Sequence, residues 1–114
     1  MSLERVLRLL ESFGFSVVDS EVYVYLAKAG PQRGRDLAQG LRMTRQQLYP
    51  ALRSLKKKEA VTCSSERPAL FQALAFEELL NLYMKLGAEQ AKIIRETRKE
   101  LVEGWRSLTE KNST

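Results

Sequence analysis

Residues 44–58 read Thr44-Arg45-Gln46-Gln47-Leu48-Tyr49-Pro50-Ala51-Leu52-Arg53-Ser54-Leu55-Lys56-Lys57-Lys58. The run opens with a Ser/Thr-x-x-Glu/Gln capping box, in which the first and fourth side chains satisfy backbone amides at a helix start. Its leucines recur at helical spacing. Pro50 lies within the run and removes the hydrogen bond to the carbonyl of Gln46, so we expect a bend there, or a break as the alternative. The continued leucine period favours an unbroken helix.

The two sides of this predicted helix differ in chemistry. At 100° per residue, one side is apolar and carries Leu48, Ala51, Leu52 and Leu55. The opposite side carries Gln46, Pro50, Arg53 and Lys57, flanked by Arg45, Tyr49 and Lys56. A helix of this width enters the major groove of B-DNA with its N-terminal residues at base edges. Arg45 could pair with guanine and Gln46 with adenine, while the later basic residues would meet phosphates.

The segments around this helix predict a winged helix. A short helix is expected at residues 35–41, and its tight turn to Thr44 makes a helix-turn-helix pattern. Two β-prone runs follow at residues 60–64 and 69–74, joined by the turn-forming residues 65–68. A helix-turn-helix followed by a hairpin is the order of a winged helix.

Two helices are predicted N-terminal to this motif. Ser2 can cap the first, and Gly14 ends it. The second opens on the box Ser16-Val17-Val18-Asp19 and stops at Gly30. We expect its buried side to contain Val18, Val22, Tyr25, Leu26 and Ala29.

A long helix is predicted from Ala75 to about Leu108, roughly 50 Å at 1.5 Å per residue. Nine of its residues, here called the seam, alternate spacings of four and three: Leu80, Met84, Gly87, Ala91, Ile94, Arg98, Leu101, Trp105 and Leu108. Such heptads predict a partner helix, and a second copy of the chain is the expected partner. The alternative is a helix that folds back on its own domain through Leu79, Leu82, Tyr83 and Leu86. Both arrangements can hold together.

These patterns predict a mainly α fold with a small β-hairpin, in the form of a winged helix-turn-helix plus a long C-terminal dimerisation helix. The expected divisions are a DNA-binding domain at 1–76 (wing about 60–74), a coiled-coil-like helix at 77–110 and a disordered tail at 111–114. The expected dimerisation residues are Leu80, Met84, Gly87, Ala91, Ile94, Leu101, Trp105 and Leu108.

The positive charge is concentrated near the helix-turn-helix. Eight basic residues and one acidic residue lie between Arg33 and Lys58, in a chain whose formal net charge is +5. A basic face on a nearly neutral body is typical of a polyanion binder. Charge alone favours nucleic acid only weakly, because Lys and Arg also occupy any solvated helix face. The expected DNA contacts are Arg33, Arg35, Arg42, Thr44, Arg45, Gln46, Tyr49, Arg53, Lys56, Lys57 and Arg67.

Composition excludes several other classes. The chain of 114 residues has no His and one Cys, Cys63, which excludes His-based catalysis and Cys-rich zinc sites. No paired carboxylates or phosphate-binding loop are evident, so we expect neither an enzyme nor a metal or cofactor. The N-terminus lacks the pattern of a signal peptide, and no apolar run is long enough to span a membrane. The expected location is therefore the cytoplasm.

Three segments resemble TrmB-type archaeal transcription regulators. Residues 15–23, Phe-Ser-Val-Val-Asp-Ser-Glu-Val-Tyr, resemble that family's L-T-x-x-E-A-x-V-Y opening. Residues 49–55, Tyr-Pro-Ala-Leu-Arg-Ser-Leu, and 67–73, Arg-Pro-Ala-Leu-Phe-Gln-Ala, resemble its Y-x-x-L-x-x-L and R-P-x-x-Y-x-A segments. Tyr-Pro-Ala-Leu also occurs in PadR-type winged helices, which are the second family that the sequence resembles.

The resemblance covers about residues 3–80 and implies a dimeric winged-helix domain that acts on promoters. Arg42 and Glu59 stand where the family has glycine. The sugar-binding C-terminal domain of full-length members is not expected here, so no small-molecule effector domain is predicted.

The function expected is a DNA-binding transcription regulator, a homodimer that places helix 44–58 in the major groove. Its expected partners are double-stranded DNA and a second copy of itself, with no membrane. The alternative is a winged-helix adaptor that binds proteins within a transcription or other assembly. An adaptor would more often expose apolar anchors than Arg, Gln and Lys on its outward helix side.

Overall fold

The computed structural model describes residues 3–110. The predicted cap at Ser2 and the predicted tail at 111–114 lie outside these residues. Five helices are described: α1 (Leu3–Ser12), α2 (Val17–Ala29), α3 (Gly34–Leu41), α4 (Arg45–Lys57) and α5 (Phe76–Glu110). Three short strands accompany them: β1 (Gln32–Arg33), β2 (Val61–Cys63) and β3 (Leu70–Ala73). The winged-helix fold predicted from the sequence is confirmed.

Both predicted capping boxes are present. At the start of α2, the Ser16 hydroxyl accepts from the amide of Asp19 at 3.0 Å, and the Asp19 carboxylate accepts from the amide of Ser16 at 3.1 Å. At the start of α4, the amide of Gln47 donates to the Thr44 hydroxyl at 3.2 Å, and that of Thr44 donates to the Gln47 side chain at 2.9 Å. These short-range contacts fix where both helices begin.

The wing belongs to a three-stranded antiparallel sheet of order β1-β3-β2, rather than to a hairpin alone. The two-residue strand β1 pairs with β3 through Gln32 opposite Phe71 and Arg33 opposite Leu70. Sequence reasoning missed β1 because two polar residues carry no strand signal of their own. The pairing attaches the start of α3 to the wing.

The core forms where α2 packs against α4. Its fully buried side chains include Val22, Tyr23 and Leu26 from α2, and Leu48 and Leu55 from α4. The Tyr23 hydroxyl donates to the carbonyl oxygen of Leu74 at 2.6 Å, and burial raises its pKa to about 12. The predicted apolar side of α4 is therefore the buried one.

The predicted buried side of α2 was partly wrong. Val18 and Ala29 are exposed and Tyr25 is half-buried, whereas Tyr23 is buried. Besides α4, α2 packs against α1, α3 and β3. Its buried residues therefore include Tyr23 and do not form the single stripe of helical spacing that was predicted.

Two turns of the motif contain non-glycine residues in the left-handed region. Arg42 ends α3 with φ of 55°, and Glu59 follows α4 with φ of 63°. These are the positions where the family pattern has glycine. Both turns therefore have the left-handed backbone that glycine adopts readily, although a residue with a side chain occupies each. Between them, α4 continues unbroken through Pro50, and the alternative of a broken helix is wrong.

The chain divides into two compact units, with the boundary between Leu79 and Leu80. Leu79 is fully buried within the first unit. In the second unit, the side chains of α5 are mostly exposed, including Met84, Ile94 and Trp105 at 73%, 54% and 66%. Within residues 3–110, no helix has the length and apolar character needed to cross a membrane.

Candidate nucleic-acid interface

The outward side of α4 is polar and basic. Five of its exposed side chains are polar or basic and are here called the basic side of α4: Arg45, Gln46, Arg53, Lys56 and Lys57. Pro50 is also exposed on this side. The opposite side is buried in the core through its leucines. Because the core holds one side, the helix can present the other without losing its packing.

Tyr49 is half-buried and supports this surface. Its ring meets Phe71 of β3 edge-on, with centroids 6.5 Å apart, and the Arg45 guanidinium lies 5.3 Å from its centroid. The ring also leaves no room for a side chain at Gly34, whose missing Cβ would collide with the Tyr49 hydroxyl. Tyr49 therefore acts as a platform that joins α4, α3 and the sheet beneath Arg45.

A groove of about 340 Å³ lies beside Arg45, between α3, α4 and the wing turn, which is the segment 65–68 between β2 and β3. Arg35 and Arg45 line it together with Gly34, Ala38 and Pro68. Two arginine side chains that line one groove are suited to a phosphate, which arginine can bind through two parallel hydrogen bonds.

The Arg33 side chain is 40% exposed and is paired with two residues of the protein. Its Nη2 lies 3.3 Å from the Glu66 carboxylate, and its Nη1 donates to the carbonyl oxygen of Pro68. Both partners belong to the wing turn. Arg33 therefore holds the wing against β1, while the neighbouring Arg67 is exposed.

A second internal ion pair, the Asp19 cluster, fixes α4 on α2. The Asp19 carboxylate is only 6% exposed and accepts from the Ser54 hydroxyl at 2.9 Å as well as from the amide of Ser16. Lys58 donates to the Ser54 hydroxyl at 2.8 Å and lies 3.9 Å from the same carboxylate oxygen. The cluster was missed from the sequence, where Asp19 was assigned to the cap alone.

The remaining candidate DNA contacts lie around the helix-turn-helix. Arg42 and Thr44 are exposed in the turn between α3 and α4, where Arg42 ends one helix and Thr44 caps the next. The eleven candidates thus all belong to the first unit, on β1, α3, α4, the turn and the wing. They differ in role, since Arg33, Thr44, Arg45 and Tyr49 each have a partner within the protein.

The candidate dimerisation residues all belong to the second unit. Five of the larger apolar members of the seam, Met84, Ile94, Leu101, Trp105 and Leu108, are each more than half exposed, whereas Leu80 is half-buried. Space around Gly87 is open, since a Cβ there would meet no atom within 4 Å.

Residues 3–110 contain no group of three His, Cys, Asp or Glu side chains placed to hold a metal ion. Cys63 lies half-buried on β2.

The chain resembles known proteins in fold and in sequence. No curated protein matches the chain. A solved structure that it resembles is that of TrmBL2, an archaeal chromatin protein whose structure shows a novel mode of DNA binding. The TM-score is 0.78 at 23% identity, over 96% of this chain and 44% of TrmBL2, so this chain spans less than half of that protein. At this identity the likeness establishes the fold.

A family model shows the relationship in sequence. The model, described as "Sugar-specific transcriptional regulator TrmB", matches residues 10–77. The matched segment is more than half of the chain and contains the helix-turn-helix and the wing. The chain therefore belongs to the TrmB family.

Proposed function

We propose that this protein is a DNA-binding transcription regulator that acts as a homodimer and places α4 in the major groove. The observation that carries the proposal is the two-sided structure of α4, whose leucines are buried while its basic side is exposed. Membership of a family of transcription regulators and the fold of a DNA-binding protein, TrmBL2, support it. The sugar response in the family description is not part of the proposal.

The basic side of α4 divides into two functions. Arg45 and Gln46 lie in its first turn, from which side chains reach base edges. Arg53, Lys56 and Lys57 lie later, where they would contact phosphates. The Tyr49 platform restricts Arg45, so the arginine would lose less conformational entropy when it binds a guanine.

The wing and α3 would hold the flanking backbone. Arg35 lines the groove beside Arg45, and Arg67 is exposed in the wing turn. Arg33 would contribute indirectly, by holding the wing turn through Glu66 and Pro68. Arg42 and Thr44 would contact phosphates at the turn.

Dimerisation would use the second unit. The seam exposes apolar side chains over four heptads, and a second copy would cover them. A symmetric dimer would also present two copies of α4 to two half-sites. We assign residues 1–76 to DNA binding and residues 77–110 to dimerisation.

Binding to a labelled random-sequence duplex tests the proposal. Fluorescence anisotropy between 50 and 200 mM salt should show a loss of roughly a thousandfold in affinity, because six or more phosphate contacts release counterions. The variant R53E/K57E should lose most binding at 50 mM salt. No binding of the folded wild-type protein at 50 mM salt would contradict the proposal and favour an acidic protein partner.

A matched variant controls for net charge. K85E/K92E makes the same change in charge on exposed positions of α5. It should keep most of the wild-type affinity if binding depends on α4 itself. Equal losses in the two variants would show that only overall charge attracts the duplex.

A further inference from the structure

We infer that two copies of the chain pair through α5 in an antiparallel orientation, with Gly87 and Ala91 of one copy opposite Arg98 and Ile94 of the other. This inference rests on the proposed dimer and adds its orientation and register. The relevant observations are the exposure of the apolar seam and the uneven size of its residues along α5.

A parallel, in-register pair fits these residues poorly. Equivalent residues face each other in such a pair, so Gly87 would lie opposite Gly87 of the partner subunit, and Ala91 opposite Ala91 of the partner subunit. Small side chains on both sides leave voids that lose packing. Arg98 would face Arg98 of the partner subunit, two like charges at a core position. Trp105 would have to pack directly against Trp105 of the partner subunit, which places two large side chains at the same level.

An antiparallel pair places small residues opposite large ones. The seam residues alternate between the two core positions of a heptad, which are a (Met84, Ala91, Arg98 and Trp105) and d (Leu80, Gly87, Ile94, Leu101 and Leu108). In antiparallel order, the a positions of one helix face the d positions of the partner. One register brings Ala91 opposite the partner's Ile94 and Gly87 opposite the partner's Arg98. The open space at Gly87 then accommodates the arginine stem, whose charged end can reach water at the edge of the pair.

The same register continues outward without a clash. Met84 lies opposite the partner's Leu101, and Leu80 lies opposite the partner's Trp105. Each pairing occurs twice by symmetry, which gives eight layers. Arg95, the charged residue that flanks this part of the seam, lies nearest the partner's Ala88, so no like charges meet.

A register shifted by one heptad is less favourable. It would place Gly87 opposite the partner's Trp105 and Ala91 opposite the partner's Leu101, which also joins small and large residues. However, it brings Arg95 beside Arg95 of the partner subunit, close to both copies of Arg98. Four positive charges would then meet at the centre of the pair.

The orientation determines how far apart the two helix starts lie. In the inferred register, Phe76 is opposite the partner's Thr109, 33 residues from the partner's own Phe76. That is about 50 Å along the helix axis. A parallel pair would hold the two positions side by side.

Spin-label distances measure the orientation directly. Single cysteines are introduced as K85C, K92C or R106C in a C63S background, each on an exposed position beside the seam. In the inferred register, the two copies of positions 92, 85 and 106 are offset by 1, 15 and 27 residues. The corresponding axial offsets are about 2, 22 and 40 Å. We expect pulsed electron–electron double resonance to give the shortest distance at position 92, a longer one at position 85 and the longest at position 106.

The other outcomes are distinguishable. Equal, short distances at all three positions in a confirmed dimer would overturn the antiparallel orientation while leaving the dimer intact. Similar long distances at positions 85 and 106, with a shorter one at 92, would overturn the register in favour of the shifted one. A monomer by light scattering at the labelling concentration would instead contradict the dimer itself.

Mixing experiments supply a second measurement that needs no label. In a parallel pair, position 98 of one chain faces position 98 of the other. R98E and wild-type chains would then form a mixed dimer far more readily than either pure dimer, because Glu faces Arg in the mixed dimer and like charges face each other in the pure ones. In the inferred pair residue 98 faces glycine, so mixed and pure dimers should form in statistical proportion. Native mass spectrometry of the mixture reads out the ratio, and a strong preference for the mixed dimer would contradict the orientation.

Discussion

Removal of the Asp19 carboxylate should destabilise the protein far more than removal of an ordinary surface acid. Its Oδ2 atom accepts from the amide of Ser16 at 3.1 Å and from the Ser54 hydroxyl at 2.9 Å, with the Lys58 ammonium 3.9 Å away. A hydrogen bond to a charged group contributes about 1.5–3 kcal/mol, and truncation leaves both donors unsatisfied. We expect Asp19→Ala to lower the free energy of unfolding by about 3 kcal/mol.

Urea denaturation at a fixed protein concentration measures the loss, since a dimer's apparent stability depends on concentration. With a slope of about 1–3 kcal/mol per molar, typical of small proteins, the midpoint should fall by about 1–3 M without a change in slope. Asp36→Ala is the matched control, because Asp36 is an exposed acid in the first turn of α3. It should cost no more than about 1 kcal/mol.

A double-mutant cycle separates the tertiary contact from the helix cap. Asp19→Ala and Ser54→Ala each break the bond between α2 and α4, so the double variant should lose less than the sum of the two. We expect a coupling of about 1 kcal/mol or more. Additive losses, or an Asp19→Ala variant as stable as the Asp36→Ala control, would refute the reasoning.

Three further predictions concern single residues. Glu59→Gly and Arg42→Gly should each raise the free energy of unfolding by about 0.5–1 kcal/mol, since relief of a left-handed backbone exceeds the entropy cost of glycine; a lower urea midpoint in both would contradict this. Burial raises the pKa of Tyr23 to about 12, so the wild-type protein should lose stability between pH 10 and 12, where the unfolded tyrosine ionises first. The variant Tyr23→Phe should be less stable at neutral pH because it lacks the bond to Leu74, but should lose less over that alkaline range, and parallel losses in the two proteins would argue against it. Trp105 emission should shift to the red on dilution as the dimer dissociates, whereas an unchanged spectrum in a proven monomer would show that the seam does not bury it.

The parts of the fold that depend on neighbours in sequence were predictable. Both capping boxes involve residues three apart, so Ser16 and Thr44 mark their helix starts without any tertiary information. The leucine period of α4 likewise identified its buried side, because that period reflects a single packing surface. Strand β1 was not predictable, since Gln32 and Arg33 are extended only through pairing with β3.

The candidate interface was predictable in position and less so in the role of each residue. Charge and helical spacing indicate which side of α4 faces outward. They do not reveal that Arg33 forms an ion pair with Glu66, 33 residues away, or that Lys58 pairs with Asp19. Tyr49 was grouped with the outward residues, yet its ring lies against Phe71 and Gly34. Such pairings arise from the fold and carry no local signal.

The central claim is that the basic side of α4 is the surface that binds duplex DNA. The most direct test is a nuclear magnetic resonance titration of the ¹⁵N-labelled protein with a short duplex. The account predicts amide shift changes concentrated at Arg45, Gln46 and Arg53 and at the wing turn beside Arg67, with little change along residues 85–105. Changes confined to residues 85–105, or none while the duplex is bound, would contradict it.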